Sequence, residues 1–374
     1  MFAKAPASWS SEDHRYMAMA LKLAERGFNT THPNPRVGCV LVRDGAIVGQ
    51  GWHRAAGEPH AEVLALREAR DRARGASCYV SLEPCCHQGR TGPCSAVLIE
   101  AGITRVVAAM ADPNPRVGGQ GFKQLCAAGM SVEFGLMARE ATEINRGFVH
   151  RMQRGRPLLR CKLGMSLDGR TALANGASRW ITSPQARRDV QRWRARSSAV
   201  LTGIGSVLKD DPRLTVRELD EMPVLRQPWR VVLDSRLRIP ATARLFNETA
   251  RVIVMTTQTD TAGYRALEAR GAEVIAMPNP GRRVDPVAAL ARLAELEINE
   301  VLVEAGPTLT GALISAGLVD ELLLYIAPKL LGGEARPMAF LGEIERLAEC
   351  PQLEIIDLRV LGKDLRLRAR FARG

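Results

Sequence analysis

His60, Glu62, Cys85 and Cys94 are residue types whose combination and order suit one chemistry. An imidazole and two thiols can hold Zn²⁺ and leave its fourth position to water. The metal draws that water's pKa towards about 7, so hydroxide is available at neutral pH. Glu62, two residues beyond His60, then takes the water proton and returns it to a ring nitrogen and the departing ammonia. The sequence thus predicts hydrolytic deamination at a zinc site, with His60, Cys85 and Cys94 as ligands and Glu62 as proton shuttle. A purely structural zinc would take four protein ligands and leave Glu62 without a task. Cys86 stays open as an alternative ligand; Cys85 is preferred because it directly follows Pro84.

The elements that must hold these residues follow from the pattern. Residues 57–75 (GEPHAEVLALREARDRARG) predict a helix, with Pro59 near its first turn and His60 and Glu62 inside that turn. ASCYVSLEP predicts a buried strand delivering Cys85 to a loop, and CSAVLIEAG a second helix opening at Cys94. Two helix N-termini facing one metal favour thiolate and hydroxide. Ser10 or Ser11 caps an amphipathic first helix, and Asp44-Gly45 between VGCVLV and AIVGQGW predicts a hairpin.

Deaminases of nucleosides and nucleic acids usually carry Pro-Cys-x-x-Cys, whereas the loop here is longer, PCCHQGRTGPC. THPNPRVGCVLVRDG, GEPHAEVLAL, LEPCCHQGRTGPC and DPNPRVGGQG, spread over most of residues 12–150, resemble the deaminase half of a bifunctional family of riboflavin biosynthesis. Its members join a diaminohydroxyphosphoribosylaminopyrimidine deaminase to a 5-amino-6-(5-phosphoribosylamino)uracil reductase. CKLGMSLDGRTA, SRWITSPQARRDV, VLKDDPRLTVR and VEAGPTLTGALISAGLVDELLLYIAPKLLGG resemble the reductase half over about residues 157–335. The resemblance implies a cytidine-deaminase-like α/β/α domain followed by a dihydrofolate-reductase-like α/β domain that uses NADPH. It implies deaminase substrate contacts at Asn34, His53, Arg90, Asp112 and Asn114. In the reductase it implies NADPH contacts at Gly164, Trp180, Ser206, Asp210, Ser235 and along Gly306, Pro307, Thr308, Leu309, Thr310, Gly311 and Ala312. Substrate contacts there map to Ser178, Arg194, Leu214, Arg217 and Glu304, with Arg194 and Arg217 gripping a 5-phosphate by forked hydrogen bonds. The implied reduction sends a hydride to sugar C1′ and a proton to the ring oxygen. No His follows His150, so the proton donor must come from Asp, Glu, Lys or water, and Asp210 and Lys162 are the candidates.

The distribution of His suggests two chemistries and two domains, 1–150 and 151–374, divided near HRMQRGRP at 150–157. Strand-like and helix-like runs alternate through the second, predicting a mostly parallel sheet with a C-terminal hairpin at its edge. Near Gly203 the glycines do not complete a dinucleotide fingerprint, since Leu208 takes the last place, so a Rossmann domain is not expected. No apolar stretch approaches the roughly 20 residues of a membrane span, and the N-terminus lacks an apolar signal core. A cytoplasmic homo-oligomer is expected, acting on a small pyrimidine ribotide, with no membrane or nucleic-acid partner. The eight Cys suit a reducing compartment, with Cys39, Cys78, Cys126, Cys161 and Cys350 as core fillers. The net charge of +12 raises a rival, a nucleic-acid deaminase with an accessory binding domain, but the Arg are scattered among Asp and Glu with no basic tract.

Overall fold

The computed structural model of the chain describes residues 8–86, 92–115, 117–217, 219, 223–259 and 262–372. It divides into two units, Met1–Gly155 and Arg156–Gly374. The expected division after residue 150 falls inside helix Arg146–Arg154, which carries the chain on to Gly155.

The first unit is built from α1 (Ser11–Glu25), β1 (Gly38–Arg43), β2 (Ala46–Trp52), α2 (Ala61–Ala69), β3 (Ser77–Val80), α3 (Cys94–Glu100), β4 (Arg105–Ala108), α4 (Gln120–Ala127), β5 (Ser131–Phe134), α5 (Ala138–Ile144) and α6 (Arg146–Arg154). The strands pair in the order β2-β1-β3-β4-β5. Period-two alternation sends Cys39, Leu41, Cys78, Val80, Val106 and Ala108 to one face, where α2, α3 and α4 cover them. Val40, Val42, Tyr79 and Val107 point to the other, under α1 and α5. The result is the expected three-layer sandwich. Ser10 caps α1 in a reciprocal capping box with Asp13, and Asp44 and Gly45 turn the hairpin with φ of 51° and 76°.

The second helix differs from its expectation. His60 is its N-cap and the helix ends at Ala69, because Arg70 turns to φ 52° and the charged tail Arg70–Ala73 forms a 3-10 turn that buries only Ala73. Glycines set how deeply α2 lies on the sheet. A Cβ on Gly51 would stand 2.4 Å from the Ala61 carbonyl oxygen, and one on Gly49 2.2 Å from that of Ala65. Only strand glycines let the first turn of α2, and so His60 and Glu62, press this close.

The second unit runs β6 (Leu158–Ser166), β7 (Arg170–Ala172), α7 (Pro184–Arg196), β8 (Ala199–Gly203), α8 (Ile204–Asp210), β9 (Trp229–Leu233), β10 (Val252–Thr256), α9 (Ala262–Glu268), β11 (Ala272–Ala276), α10 (Pro286–Glu295), β12 (Glu300–Val303), α11 (Pro307–Ser315), β13 (Glu321–Ala327), β14 (Arg336–Pro337), β15 (Leu353–Leu361) and β16 (Asp364–Phe371). Its main sheet has the order β11-β10-β9-β8-β12-β6-β13-β16-β15. All pairs are parallel except those of the C-terminal hairpin β15–β16. Leu159, Cys161, Leu163 and Met165 of β6 pack with α10 and α11 on one face. Val200, Leu302, Leu323 and Tyr325 pack with α7 on the other. The short helix α8 was not legible, since SAVLTGIG reads as strand to its end. Cys39, Cys78 and Cys161 are buried, and Cys126 packs partly against the first core. Cys350 is a correction: it is half-buried beyond the 3-10 turn Leu347–Glu349 and joins no core among the described residues, because its surroundings are exposed loop.

Candidate active sites

Strand direction gathers the first site. β1 is antiparallel to both β2 and β3, and β3 is parallel to β4. The ends of β2, β3 and β4 and the entry to β1 therefore share one sheet edge. Asn34 precedes β1, His53, His60 and Glu62 follow β2, Cys85 and Cys94 follow β3, and Asp112 and Asn114 follow β4.

At that edge the His60 Nδ1 lies 3.1 Å from the Cys94 Sγ and 3.5 Å from the Cys85 Sγ. The backbone N–H of Cys94, at the start of α3, donates to the Cys85 Sγ over 3.3 Å. These three donor atoms all lie within 4.8 Å of one another. A tetrahedral zinc with ordinary Zn–S and Zn–N bonds holds its ligand atoms about 3.5 Å apart, so the donor set and its spacing fit the ion. Cys86 is not part of this convergence. The hydrogen bond from Cys94 and that of His60 push Cys85 down to about 4, while the same contact and burial push Cys94 well up. Glu62 is buried, 3% exposed. Burial first, then the Cys85 charge, pushes its carboxyl up to about 7. A carboxyl poised near neutrality can both accept and return a proton.

His53 is buried beside this group, its ring edge-on to His60 at 5.2 Å. The Asn34 Nδ2 lies 3.0 Å from its Nε2 and the Pro59 carbonyl oxygen 3.3 Å from its Nδ1. Nε2 is then the acceptor and Nδ1–H the donor, which is neutral imidazole; burial pulls its pKa down. The Asp112 Oδ1 accepts from the Asn114 N–H at 2.8 Å. Arg90 lies outside the described residues. Two residues behind this edge escaped the sequence reading. Asn145, 1% exposed, accepts the Arg36 N–H at 2.7 Å and donates to the Arg36 carbonyl oxygen at 2.9 Å, pinning the loop that carries Asn34. Glu83 binds the loop after β4. Their only signal was a polar residue beside apolar ones, as in Leu82-Glu83 and Ile144-Asn145.

In the second unit, parallel pairing again aligns strand ends. Glu304 follows β12, and its neighbour β6 carries Lys162 and Gly164. The Glu304 carboxylate takes both arms of Arg194, at 2.5 and 3.0 Å, and lies 3.3 Å from the Lys162 Nζ. Burial would raise Glu304, but Arg194 and Lys162 hold it far below the usual carboxylate range. The third Arg194 nitrogen donates to the Thr215 carbonyl oxygen at 2.7 Å. Arg194 is thus engaged, while the exposed Arg217 guanidinium has no hydrogen bond or ion pair among the described residues. Burial and the charge of Arg194 pull Arg217 down.

Other expected residues are dispersed. Asp210 ends α8 and makes no bond to the Glu304 group among the described residues; its carbonyl accepts from Arg179 at 3.0 Å. Lys209 donates to the Gly176 carbonyl oxygen at 2.6 Å. Ser206 is half-buried in α8. The Ser235 hydroxyl accepts the Val284 N–H at 3.0 Å. Gly306 and Thr308 are exposed at the uncapped start of α11, and Pro307 is half-buried there. Leu309 packs partly on the core and Ala312 is exposed. Thr310 and Gly311 turn inward, and a Cβ on Gly311 would stand 1.9 Å from the Phe340 carbonyl oxygen. Leu214 buries its side chain against Trp193. Ser178 is half-buried. Trp180 is 61% exposed, with the Arg187 guanidinium 4.3 Å from its ring centroid.

The family model described as the RibD C-terminal domain matches residues 157–367. The model for the cytidine and deoxycytidylate deaminase zinc-binding region matches residues 10–110. A riboflavin biosynthesis protein RibD from Escherichia coli (strain K12) is 52% identical over 363 residues, covering 95% of this chain and 98% of its own. The chain belongs to the RibD family. A RibD from Haemophilus influenzae is 47% identical over 370 residues, covering 96% and 97%. The solved structure of Acinetobacter baumannii RibD, form 1, is 43% identical with a TM-score of 0.91, covering 97% and 99%. That of a Thermotoga maritima diaminohydroxyphosphoribosylaminopyrimidine deaminase/5-amino-6-(5-phosphoribosylamino)uracil reductase is 33% identical with a TM-score of 0.85, covering 96% and 99%. As a RibD, the chain is a bifunctional riboflavin-biosynthesis enzyme, a zinc-binding deaminase and an NADP-dependent reductase. Among the described residues no helix is long and apolar enough to cross a membrane.

Proposed function

We propose that the first unit removes the 2-amino group from 2,5-diamino-6-(5-phosphoribosylamino)pyrimidin-4-one, and that the second reduces the ribosyl side chain of the product to ribityl. The observation that carries this reading is the convergence of His60, Cys85 and Cys94 beside a buried Glu62 held near neutrality. His60, Cys85 and Cys94 hold zinc, which when bound supplies Lewis-acid activation of water. Glu62 takes one proton of the attacking water to the ring nitrogen, then carries the second, from the hydroxyl now on C2, to the amino group as the C–N bond breaks, ammonia leaves and C2 keeps the oxygen as a carbonyl. Asn34, Asp112 and Asn114 orient the pyrimidine; His53 holds the Asn34 amide and braces Pro59.

In the second unit NADPH, when bound, supplies the hydride for sugar C1′. The open first turn Gly306–Thr308 offers backbone N–H groups to a cofactor phosphate. Glu304, fixed by Arg194 and Lys162, orients the pyrimidine, and Lys162 or Asp210 delivers the proton to the ring oxygen. Among the described residues, the Arg217 guanidinium stands open for the substrate phosphate. We further assign the enzyme to the cytoplasm as a homo-oligomer without a nucleic-acid partner. The apolar side chains of the edge strand β15, with Ile355 61% and Val360 72% exposed, support self-association.

The test follows ammonia release and NADPH absorbance together on purified full-length protein given the diaminopyrimidine ribotide. Ammonia followed by NADPH loss is expected. Ammonia without NADPH loss would remove the reductase reading, and neither signal from zinc-loaded protein would remove both.

A further inference from the structure

A second buried carboxylate stands beside the metal ligands and takes no part in the proton transfer. Glu83 is 3% exposed and lies two residues before Cys85. Its Oε2 accepts the backbone N–H of Asp112 at 3.0 Å and of Gly119 at 2.9 Å. Its Oε1 accepts those of Gly121 at 2.9 Å and Phe122 at 3.3 Å. All four donors belong to the chain that leaves β4 and enters α4. The N-cap of α4 is Gly119, which has no side chain to cap with, so Glu83 supplies the anion at that helix start from the loop after β3. Gly121 packs so tightly that a Cβ would stand 2.0 Å from the Pro84 carbonyl oxygen. The register passes on, since the Asp112 side chain itself bonds to the Asn114 N–H.

We propose that Glu83 is a positioning residue of the deaminase, one that clamps the β4–α4 loop onto the Pro84–Cys85 turn and so sets where Asp112 and Asn114 meet the substrate. This rests on the reading above that those two residues contact the pyrimidine ribotide. The chemistry of the acceptor is specific. A carboxylate offers about four acceptor sites and no donor, and here four N–H groups fill it. An amide would turn an NH₂ group against two of those donors, and a carboxylate one methylene shorter would reach fewer of them.

The test uses the full-length enzyme and its own second activity as a control. In Glu83→Gln, zinc content and NADPH oxidation on the deaminated substrate should equal wild type, while the KM for deamination rises at least tenfold and kcat changes less. Glu83→Asp should recover part of the KM. A wild-type KM in Glu83→Gln, or a loss confined to kcat, overturns the proposal. So does loss of zinc in both variants, which would make Glu83 a support of the metal centre. Asn114→Ala tests the underlying reading separately: an unchanged KM there sinks the substrate contact whatever Glu83 does. If Asn114→Ala does raise KM, the double variant Glu83→Gln/Asn114→Ala should fall short of additivity, and full additivity refutes the coupling.

Discussion

Glu62 and Glu304 are carboxylates at the strand-end edges of the two sheets, yet their surroundings drive them apart. Glu62 is buried among thiols and an imidazole, with an anionic Cys85 nearby, and its carboxyl rises to about 7. Glu304 is somewhat less enclosed but gripped by Arg194 and Lys162, which hold it far below the usual range. The first can exchange a proton at neutral pH; the second is a fixed anion. On the proposed reading one residue type serves proton transfer in one unit and orientation in the other, and charge partners rather than burial make the difference.

The most direct attempt to break this contrast is Glu62→Gln. Ammonia release should fall roughly a thousandfold, with zinc retained and NADPH oxidation on the deaminated substrate untouched; a variant that still deaminates at the wild-type rate would deny Glu62 its proton. Glu304→Gln should do the converse. It leaves Arg194 and Lys162 without their counter-charge and should lower NADPH oxidation roughly tenfold to a hundredfold, sparing deamination, as steady-state rates on each substrate would reveal. Next in size is a packing effect confined to the first unit. Gly51→Ala should destabilise it by about 1–3 kcal/mol in a urea titration, because the new methyl meets the Ala61 carbonyl oxygen. Gly205→Ala in α8, with open space at its Cβ, should stay within about 0.5 kcal/mol.

Acid sensitivity supplies a further test. Burial would raise Asp13, but hydrogen bonds from Arg105, Ser10 and Tyr79 outweigh it and hold the carboxyl below its ordinary range. A depressed carboxyl stabilises the fold fully above its unfolded pKa near 3.9, and that contribution is lost as the pH falls below it. Asp13→Asn should therefore cost about 2 kcal/mol at pH 7 and less at pH 3, read from denaturant midpoints at the two pH values. An equal cost at both would assign the effect to packing.

The cluster His60, Cys85 and Cys94 was legible because the types and order of these residues suggest a metal site without knowledge of the fold. Strand β6 matches the strand-like run LLRCKLGMS from Leu158 to Ser166, whose alternate residues Leu159, Cys161, Leu163 and Met165 are apolar and core-facing although Arg160 and Lys162 fall between them. Glu83 and Asn145 were not legible. The donors to Glu83 lie 29 to 39 residues away, and the Asn145 partner lies 109 residues away, so no local pattern registers them. Leu214 and Gly311 show the opposite limit. A motif names them, but the fold turns the Leu214 side chain into the core and seats Gly311 under Phe340. Arg194 stood in an Arg-rich helix that offered several equivalent cations, and only its approach to Glu304 distinguishes it.

Asn145 bears on how the enzyme could be divided. The deaminase family match ends at residue 110, past His60, Glu62, Cys85 and Cys94. A fragment cut there would keep its metal set yet lose the backbone that fills Glu83 and the amide that pins Arg36. Such a fragment would also lose α4 and α5, which cover the two faces of the sheet, so the family boundary is not a domain boundary, and the first usable cut lies beyond Asn145, near Gly155.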